Sequence, residues 1–437
     1  MRNVLAERAR RRGTGSSGGV AAGVLVLFSP LSQLSYIPIS VVLGAQIGLS
    51  PFEVGVTVGA HSLATAIGSL LFGPVLDLYP VRRILPLALA ANALASLVLC
   101  LHPTYELLLG GRLVTGLTSA VIMLCAYVMV SDTARHEDTR RDRALSLMQT
   151  FQSVGAASAL GLGALAASYG QPRLVFALLA VYGLAMLVVS LRSSLVRAAA
   201  PAGAGARRPD PVTVAKEIGG LVRQRRMLCL MLGSLALGVV IQGSHFGVSL
   251  LLDARADTIS AAERVLLSVL IPCGVFTGSS VNRRLLRTFT RARIYRGLYL
   301  VLPVAVLLYA ASTAYADQWV QALGLLLVGS VLGAMMPLST ALGVGWFPHL
   351  RGSATAAESL ARGAGQTLGP VMVGALAAGW SSSLAAVGVA GVAAVGLVAS
   401  LGISTRTTGA GRATPEAQAA SEVELADAAV RLGRREP

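Results

Sequence analysis

The sequence predicts an all-α membrane protein of twelve transmembrane helices in two six-helix, pseudo-symmetric halves. Three observations carry that expectation: long apolar runs without charge, a one-sided distribution of arginine, and a faint internal repeat. Of 437 residues, 54% are hydrophobic and 13% charged, against about 25% charged in ordinary soluble domains. No compact water-soluble fold of this size hides so much apolar surface, so a soluble enzyme is excluded. A disordered chain is excluded as well, because it needs low hydrophobicity. Cys100, Cys125, Cys229 and Cys273 each stand alone in an apolar run. That pattern suggests neither a disulfide framework nor a metal site, and no cofactor is expected.

Eleven runs of at least 18 residues contain no Asp, Glu, Lys or Arg: 13–52, 54–76, 84–105, 113–131, 144–172, 174–191, 227–252, 265–282, 297–316, 318–350 and 363–405. A membrane-crossing helix needs about 20 residues. The last run has 43 residues and a turn signal, Gly379-Trp380-Ser381-Ser382-Ser383, near its middle. It therefore holds the end of one helix and all of another, which brings the count to twelve. Ser50-Pro51-Phe52-Glu53 and Ser260-Ala261-Ala262-Glu263 read as capping boxes opening helices 2 and 8. At the N-terminus, Gly13 to Gly19 loosely fits a dinucleotide loop and a nucleophile elbow. Neither follows a strand, as both mechanisms require, so the stretch reads as a Gly/Ser linker. Hydrophobicity continues past residue 40 with no small-residue cleavage site, unlike a signal peptide. The expected organisation is a basic segment at 1–19, one half at 20–191, a central loop at 192–226, a second half at 227–404 and a polar tail at 405–437.

With the N-terminus in the cytoplasm, inside-facing segments carry 31 of the Lys and Arg residues and outside loops only three, Arg173, Arg255 and Arg264. The positive-inside rule then places both termini in the cytoplasm and the chain in the plasma membrane. The same asymmetry accounts for the net charge of +16, because it faces anionic lipid; the bilayer is a partner and nucleic acid is not. A monomer is expected.

The halves share residues at a steady offset. At 209, Gln33, Ser35, Ser40 and Leu43 match Gln242, Ser244, Ser249 and Leu252; at 210, Ser50 and Glu53 match Ser260 and Glu263, and Arg141, Ala144, Gly155 and Ala167 match Arg351, Ala354, Gly365 and Ala377. Parallel six-helix repeats are one plan of secondary transporters.

The segment after helix 2 reads Gly73-Pro74-Val75-Leu76-Asp77-Leu78-Tyr79-Pro80-Val81-Arg82-Arg83. Gly-x3-Asp followed by a basic pair resembles the loop 2–3 signature of the major facilitator superfamily. Leu78 stands where the family usually has a basic residue, and Pro80 where it has Gly. Gly73 would allow close helix contact, and Asp77 would cap a neighbouring helix or pair with Arg across the halves, holding a gate. Arg112-x3-Gly116-x3-Ala120 is similar to the family's helix 4 motif, whose Arg is linked to proton coupling in proton-coupled members. The other reading of Arg112 is a side chain snorkelling to the outer interface. Gly365-Gln366-Thr367-Leu368-Gly369-Pro370, four residues before Gly374, resembles an exporter motif that the family carries on helix 5; here it falls on helix 11. Gly packing between helices explains the same pattern.

Ser29, Gln33, Tyr36 and Ser40 form one helical stripe on helix 1, and Gln242, His245 and Ser249 form its counterpart on helix 7. Pro38 and Gly247 interrupt both helices at the same place, which points to a solute site near the midplane. Glu358 is the carboxylate well inside a span. It makes an i, i+4 pair with Arg362 and reads either as a gate or packing pair or, with Arg112, as a coupling group. A buried Arg favours the ionised carboxylate, so coupling needs the pair to break. His61 reads as a buried, hydrogen-bonded histidine.

The resemblance implies a secondary transporter exchanging a small organic molecule against protons by alternating access, closest to the drug:proton antiporter and sugar-efflux-like branch. No acidic residue stands on helix 1, so a carboxylate site for cations is not supported. Export is the favoured direction. Import by proton symport, for example of an organic anion held by Arg112 or Arg362, is the alternative, and a non-transporting sensor is the second class. No embedded catalytic set is present, so no enzyme is expected.

Overall fold

The computed structural model describes residues 24–27, 29–133, 138–192, 219–315, 318–347 and 350–403. The basic segment 1–19 with its glycine motifs, most of the central loop and the tail from 405 lie outside the described residues. Among the described residues there are no strands. Twelve helices follow one another: α1 Val24–Ile47, α2 Pro51–Leu78, α3 Val81–Leu101, α4 Tyr105–Thr133, α5 Asp138–Ser168, α6 Arg173–Arg192, α7 Arg225–Ala254, α8 Ala261–Leu285, α9 Arg291–Tyr315, α10 Gln318–Trp346, α11 Arg351–Gly379 and α12 Ser382–Leu401. Eleven of them are long and apolar enough to cross a bilayer. The exception is α11, whose inner half carries Arg351, Glu358 and Arg362 among small residues. Its low hydropathy fits a helix that packs against protein on more than one side.

Local chemistry sets the helix ends. Both capping boxes form. The Ser50 N–H donates to Glu53 Oε2 at 2.8 Å and the Glu53 N–H to Ser50 Oγ at 3.3 Å. Ser260 and Glu263 repeat this at 2.7 and 3.3 Å. Each box satisfies two N–H groups that the first turn otherwise leaves without partners. Gly48, at φ 77°, ends α1, where the Leu49 N–H donates to the Gly44 carbonyl at 2.8 Å. Ser381 caps α12 by accepting from the Leu384 N–H at 3.2 Å, so the turn expected inside the 43-residue run divides α11 from α12. Within α1, Ser35 is a turn residue and its hydroxyl donates back to the Leu31 carbonyl. Pro38, three residues on, has no N–H to continue the ladder.

Helix contacts repeat between halves. α1 packs on α5, α2 on α4 and α3 on α6; α7 packs on α11, α8 on α10 and α9 on α12. Across the halves, α2 meets α11, α5 meets α8 and α1 meets α7, each contact mapping onto another, or itself, under the repeat. Small residues make these approaches possible without a hydrophobic driving force between helices. The apolar core is continuous across the halves at one end only. Tyr36, Val54, Val58 and Phe176 share a cluster with Phe246, Leu251 and Val373. At the end carrying the arginine-rich loops, Leu76, Leu85, Ile122 and Met148 form a separate cluster. Among the described residues the halves are therefore joined at the end opposite the arginine-rich loops.

Candidate functional site

Two buried charged centres lie in this frame. The first is Arg112, on the third turn of α4 and 1% exposed. Its NH1 donates to the Ser32 carbonyl at 2.8 Å and its NH2 to the Gln33 carbonyl at 3.3 Å. The guanidinium carbon sits 4.2 Å from the Tyr36 ring centroid, a cation–π contact. Both carbonyls precede Ser35, the turn residue that interrupts α1. The side chain turns into the bundle and does not snorkel. The surrounding groups are polar and tied together: Tyr36 Oη and Thr57 Oγ1 at 2.8 Å, Gln33 Nε2 to Ser62 Oγ at 3.1 Å, and His61 Nδ1 and Thr115 Oγ1 at 3.3 Å. Arg112 Nε and His61 Nε2 have no partner. Thus α4 grips the break in α1 through a fixed positive charge.

The second centre is Glu358 on α11, 0% exposed. Its Oε1 accepts from Ser234 Oγ of α7 at 3.0 Å and from Ser339 Oγ of α10 at 2.9 Å. Its Oε2 accepts from Thr340 Oγ1 at 3.2 Å. Arg362 NH1 lies 3.3 Å from Oε1, its side chain 19% exposed. Three hydroxyls and a guanidinium together supply what a carboxylate loses on leaving water. The hydroxyl donors Ser234, Ser339 and Thr340 are not legible as site residues in the sequence, because Ser and Thr are common in spans and mark nothing alone.

Helix α11 also carries the glycine motif, and the structure uses it for packing on two sides. Towards α7, Gly365 faces the Leu235 carbonyl, and a methyl added at Gly369 would come 2.6 Å from the Val239 carbonyl oxygen. Towards α2 of the other half, Pro370 packs against Gly55, Gly363 against Ala66 and Gly374 against Pro51, and a methyl at Gly59 would come 2.6 Å from the Thr367 carbonyl oxygen. The halves touch along α2 and α11 from Pro51 to Ala66, at the joined end. Arg362 immediately precedes Gly363, which packs on Ala66 of α2, and so lies beside that seam.

The expected solute stripes are only partly brought together. Tyr36 and Ser40 are buried, Tyr36 against α2 and Ser40 bonded to the Ile37 carbonyl of its own helix at 2.7 Å. Gln242 and His245 are buried on α7, and the Ser249 hydroxyl donates to the His245 carbonyl at 3.1 Å. Ser249 and Pro38 line one recess between the halves. Gly73 and Asp77 lie in the last turns of α2, and their side-chain surroundings lie outside the described residues. Arg82 and Arg83 are exposed on the first turn of α3. No group of three or more His, Cys, Asp or Glu residues able to hold a metal occurs among the described residues.

Twelve membrane-length helices, two repeated six-helix halves and charged groups buried beside the seam define a membrane transporter. The sequence matches the Major Facilitator Superfamily over residues 22–344. The chain belongs to that family. A comparison with curated protein sequences finds no match. Among solved structures, a mutant of the nucleoside transporter NupG superposes with a TM-score of 0.75 at 13% identity, covering 88% of this chain and 99% of that one. A bacterial homologue of the human lysosomal transporter Spinster, inward-facing and unoccupied, gives a TM-score of 0.66 at 15% identity, covering 89% and 94%. A structure of proton-dependent oligopeptide transporters gives 0.69 at 14%, covering 89% and 98%. At such identities these likenesses show the fold.

Proposed function

We propose that the protein is a secondary active transporter of the plasma membrane that exports a small organic molecule in exchange for protons by alternating access. It works as a monomer with both termini in the cytoplasm. The observation that carries the reading is Glu358: a carboxylate buried in a span, with its counter-ion on the same helix one turn away, on the helix that seals the halves. A proton taken up by Glu358 releases Arg362 from its partner, and Arg362 lies beside the α2–α11 seam. Protonation thereby alters the contact that must open and close. Arg112 cannot lose its proton; it ties α1 to α4, so the break in α1 follows the movement of its half. Gly73, Asp77, Arg82 and Arg83 are assigned to the inner gate on the resemblance of their loop. Gln33, Tyr36, Ser40, Gln242, His245 and Ser249 are assigned to the solute path on their matched stripes. Export rests on the resemblance to the drug:proton antiporter and sugar-efflux-like branch.

The test is accumulation of a chemically broad compound panel in efflux-deficient cells. Wild type is compared with Glu358→Gln and Arg112→Ala, with and without a protonophore. The reading expects at least one compound to accumulate less in wild-type cells, with the difference lost in both variants and under the protonophore. Higher accumulation with the same dependence would make the protein an importer. A difference that survives the protonophore would remove protons as the driving ion.

A further inference from the structure

The two hydroxyls that α10 turns to Glu358 differ in what else they reach. Thr340 Oγ1 meets one acceptor, Glu358 Oε2 at 3.2 Å. Ser339, fully buried, meets two: its Oγ lies 2.9 Å from Glu358 Oε1 and 2.9 Å from the Met336 carbonyl oxygen of its own helix. A hydroxyl has one hydrogen and two lone pairs, so Ser339 can give its hydrogen fully to only one of these acceptors. Among the described side chains, the charged and titratable groups around the carboxylate are Arg362 on α11 and, on α9, Tyr295 and Tyr299, whose hydroxyls meet Gly233 beside Ser234. Helices α10 and α12 carry no titratable residue. On α7, Cys229 packs on Gly402 and His245 lies about three turns beyond Ser234. On α2, Glu53 bonds Ser50 and His61 meets Thr115.

An ionised carboxylate only accepts hydrogen bonds, and a protonated one must also donate. With Glu358 ionised, Ser234, Ser339 and Thr340 all turn their hydrogens to it. Once a proton sits on Oε1, the new O–H needs an acceptor, because a buried donor left bare costs free energy. Ser339 can supply that acceptor and still place its own hydrogen. We propose that Ser339 is a two-way positioning residue for the coupling proton: it donates to ionised Glu358, and when Glu358 is protonated it accepts the acid O–H and turns its hydrogen to the Met336 carbonyl. The inference rests on the proton-exchange reading of Glu358. The proton stays on Glu358, and no hydroxyl gives up its own. Helix α10 therefore remains bonded to α11 in both states, and Arg362 alone loses its partner.

The test uses the full-length protein in nanodiscs. Infrared difference spectra recorded across pH give the protonation midpoint of Glu358 from the carboxylic-acid band that Glu358→Gln removes. Thermal unfolding midpoints are then measured about two pH units to either side. Thr340→Val removes a donor to the ionised form only. It should favour protonation about tenfold, moving the midpoint up by about one pH unit, and should lower the unfolding midpoint mainly on the alkaline side. Ser339→Ala removes a bond from both forms. It should lower the unfolding midpoint on both sides and move the protonation midpoint by less than a third of the Thr340→Val shift. Should Ser339→Ala fail to fold, Ser339→Cys, of similar size and a weaker donor and acceptor, carries the same comparison. A loss confined to the alkaline side, a midpoint shift as large as that of Thr340→Val, or no loss on either side would each overturn the role of Ser339 and leave the proton on Glu358 in place. Absence of any band that Glu358→Gln removes would overturn the proton-exchange reading, and this role with it.

Discussion

In the N-terminal half the buried charge is Arg112, met by two backbone carbonyls and the Tyr36 ring; in the C-terminal half it is Glu358, met by three hydroxyls and Arg362. The pairing partners differ in kind. Arg112 relies on carbonyls and a ring face of a neighbouring helix, and no carboxylate opposes it among the described residues. Glu358 has a counter-ion four residues along the same helix, which a proton can replace. A permanent cation suits a fixed joint, and a carboxylate with an exchangeable partner suits a switch. The two halves repeat one packing plan, yet they bury charges of opposite sign.

The largest effect should come from Arg362→Met. It strands a fully buried carboxylate, a loss of about 3–5 kcal/mol, read as a lowered thermal unfolding midpoint of the purified protein. Arg112→Met strands no carboxylate and should cost less, about 1–3 kcal/mol for the two carbonyls left bare. A larger loss for Arg112→Met than for Arg362→Met would break the contrast. Adding Glu358→Gln to Arg362→Met should recover more than half of the loss, because the hydroxyls can still bond a neutral amide.

Within the N-terminal centre, Tyr36→Ala should cost about 2 kcal/mol more than Tyr36→Phe. The ring carries the cation–π contact, and the hydroxyl bond to Thr57 is worth about 1 kcal/mol. Equal losses would place the stabilisation in the hydroxyl. The smallest and most symmetrical effects belong to the capping boxes. Ser50→Ala and Ser260→Ala should each cost about 1 kcal/mol, and unequal values would show that the matched sequences do unequal structural duty.

The helices are legible in the sequence because bilayer length and charge exclusion leave few alternatives, and the capping boxes because four residues specify their own bonds. The charge-free run merges α11 and α12 because the turn between them, Gly379-Trp380-Ser381, carries no charge, whereas the low hydropathy of α11 comes from Arg351, Glu358 and Arg362 in its inner half. Spacing singles out Arg112 but does not give its direction, since nothing in the sequence says that Ser35 interrupts α1 just after the two carbonyls it meets. The i, i+4 spacing foretells the Glu358–Arg362 pair; the three hydroxyls come from positions 124, 19 and 18 residues away, and helix packing alone brings them there. The stripes on α1 and α7 suggest two facing walls. Tyr36 and Gln33 instead bond to α2, an outcome of helix rotation that a stripe does not encode.

The most direct measurement is uptake into energised everted membrane vesicles of a compound that wild-type cells exclude, comparing wild type with Glu358→Gln. Gradient-driven accumulation in wild type, with Glu358→Gln retaining exchange of labelled for unlabelled compound but building no gradient, is the predicted result. Full gradient-driven accumulation by Glu358→Gln would contradict the assignment of proton exchange to the C-terminal half.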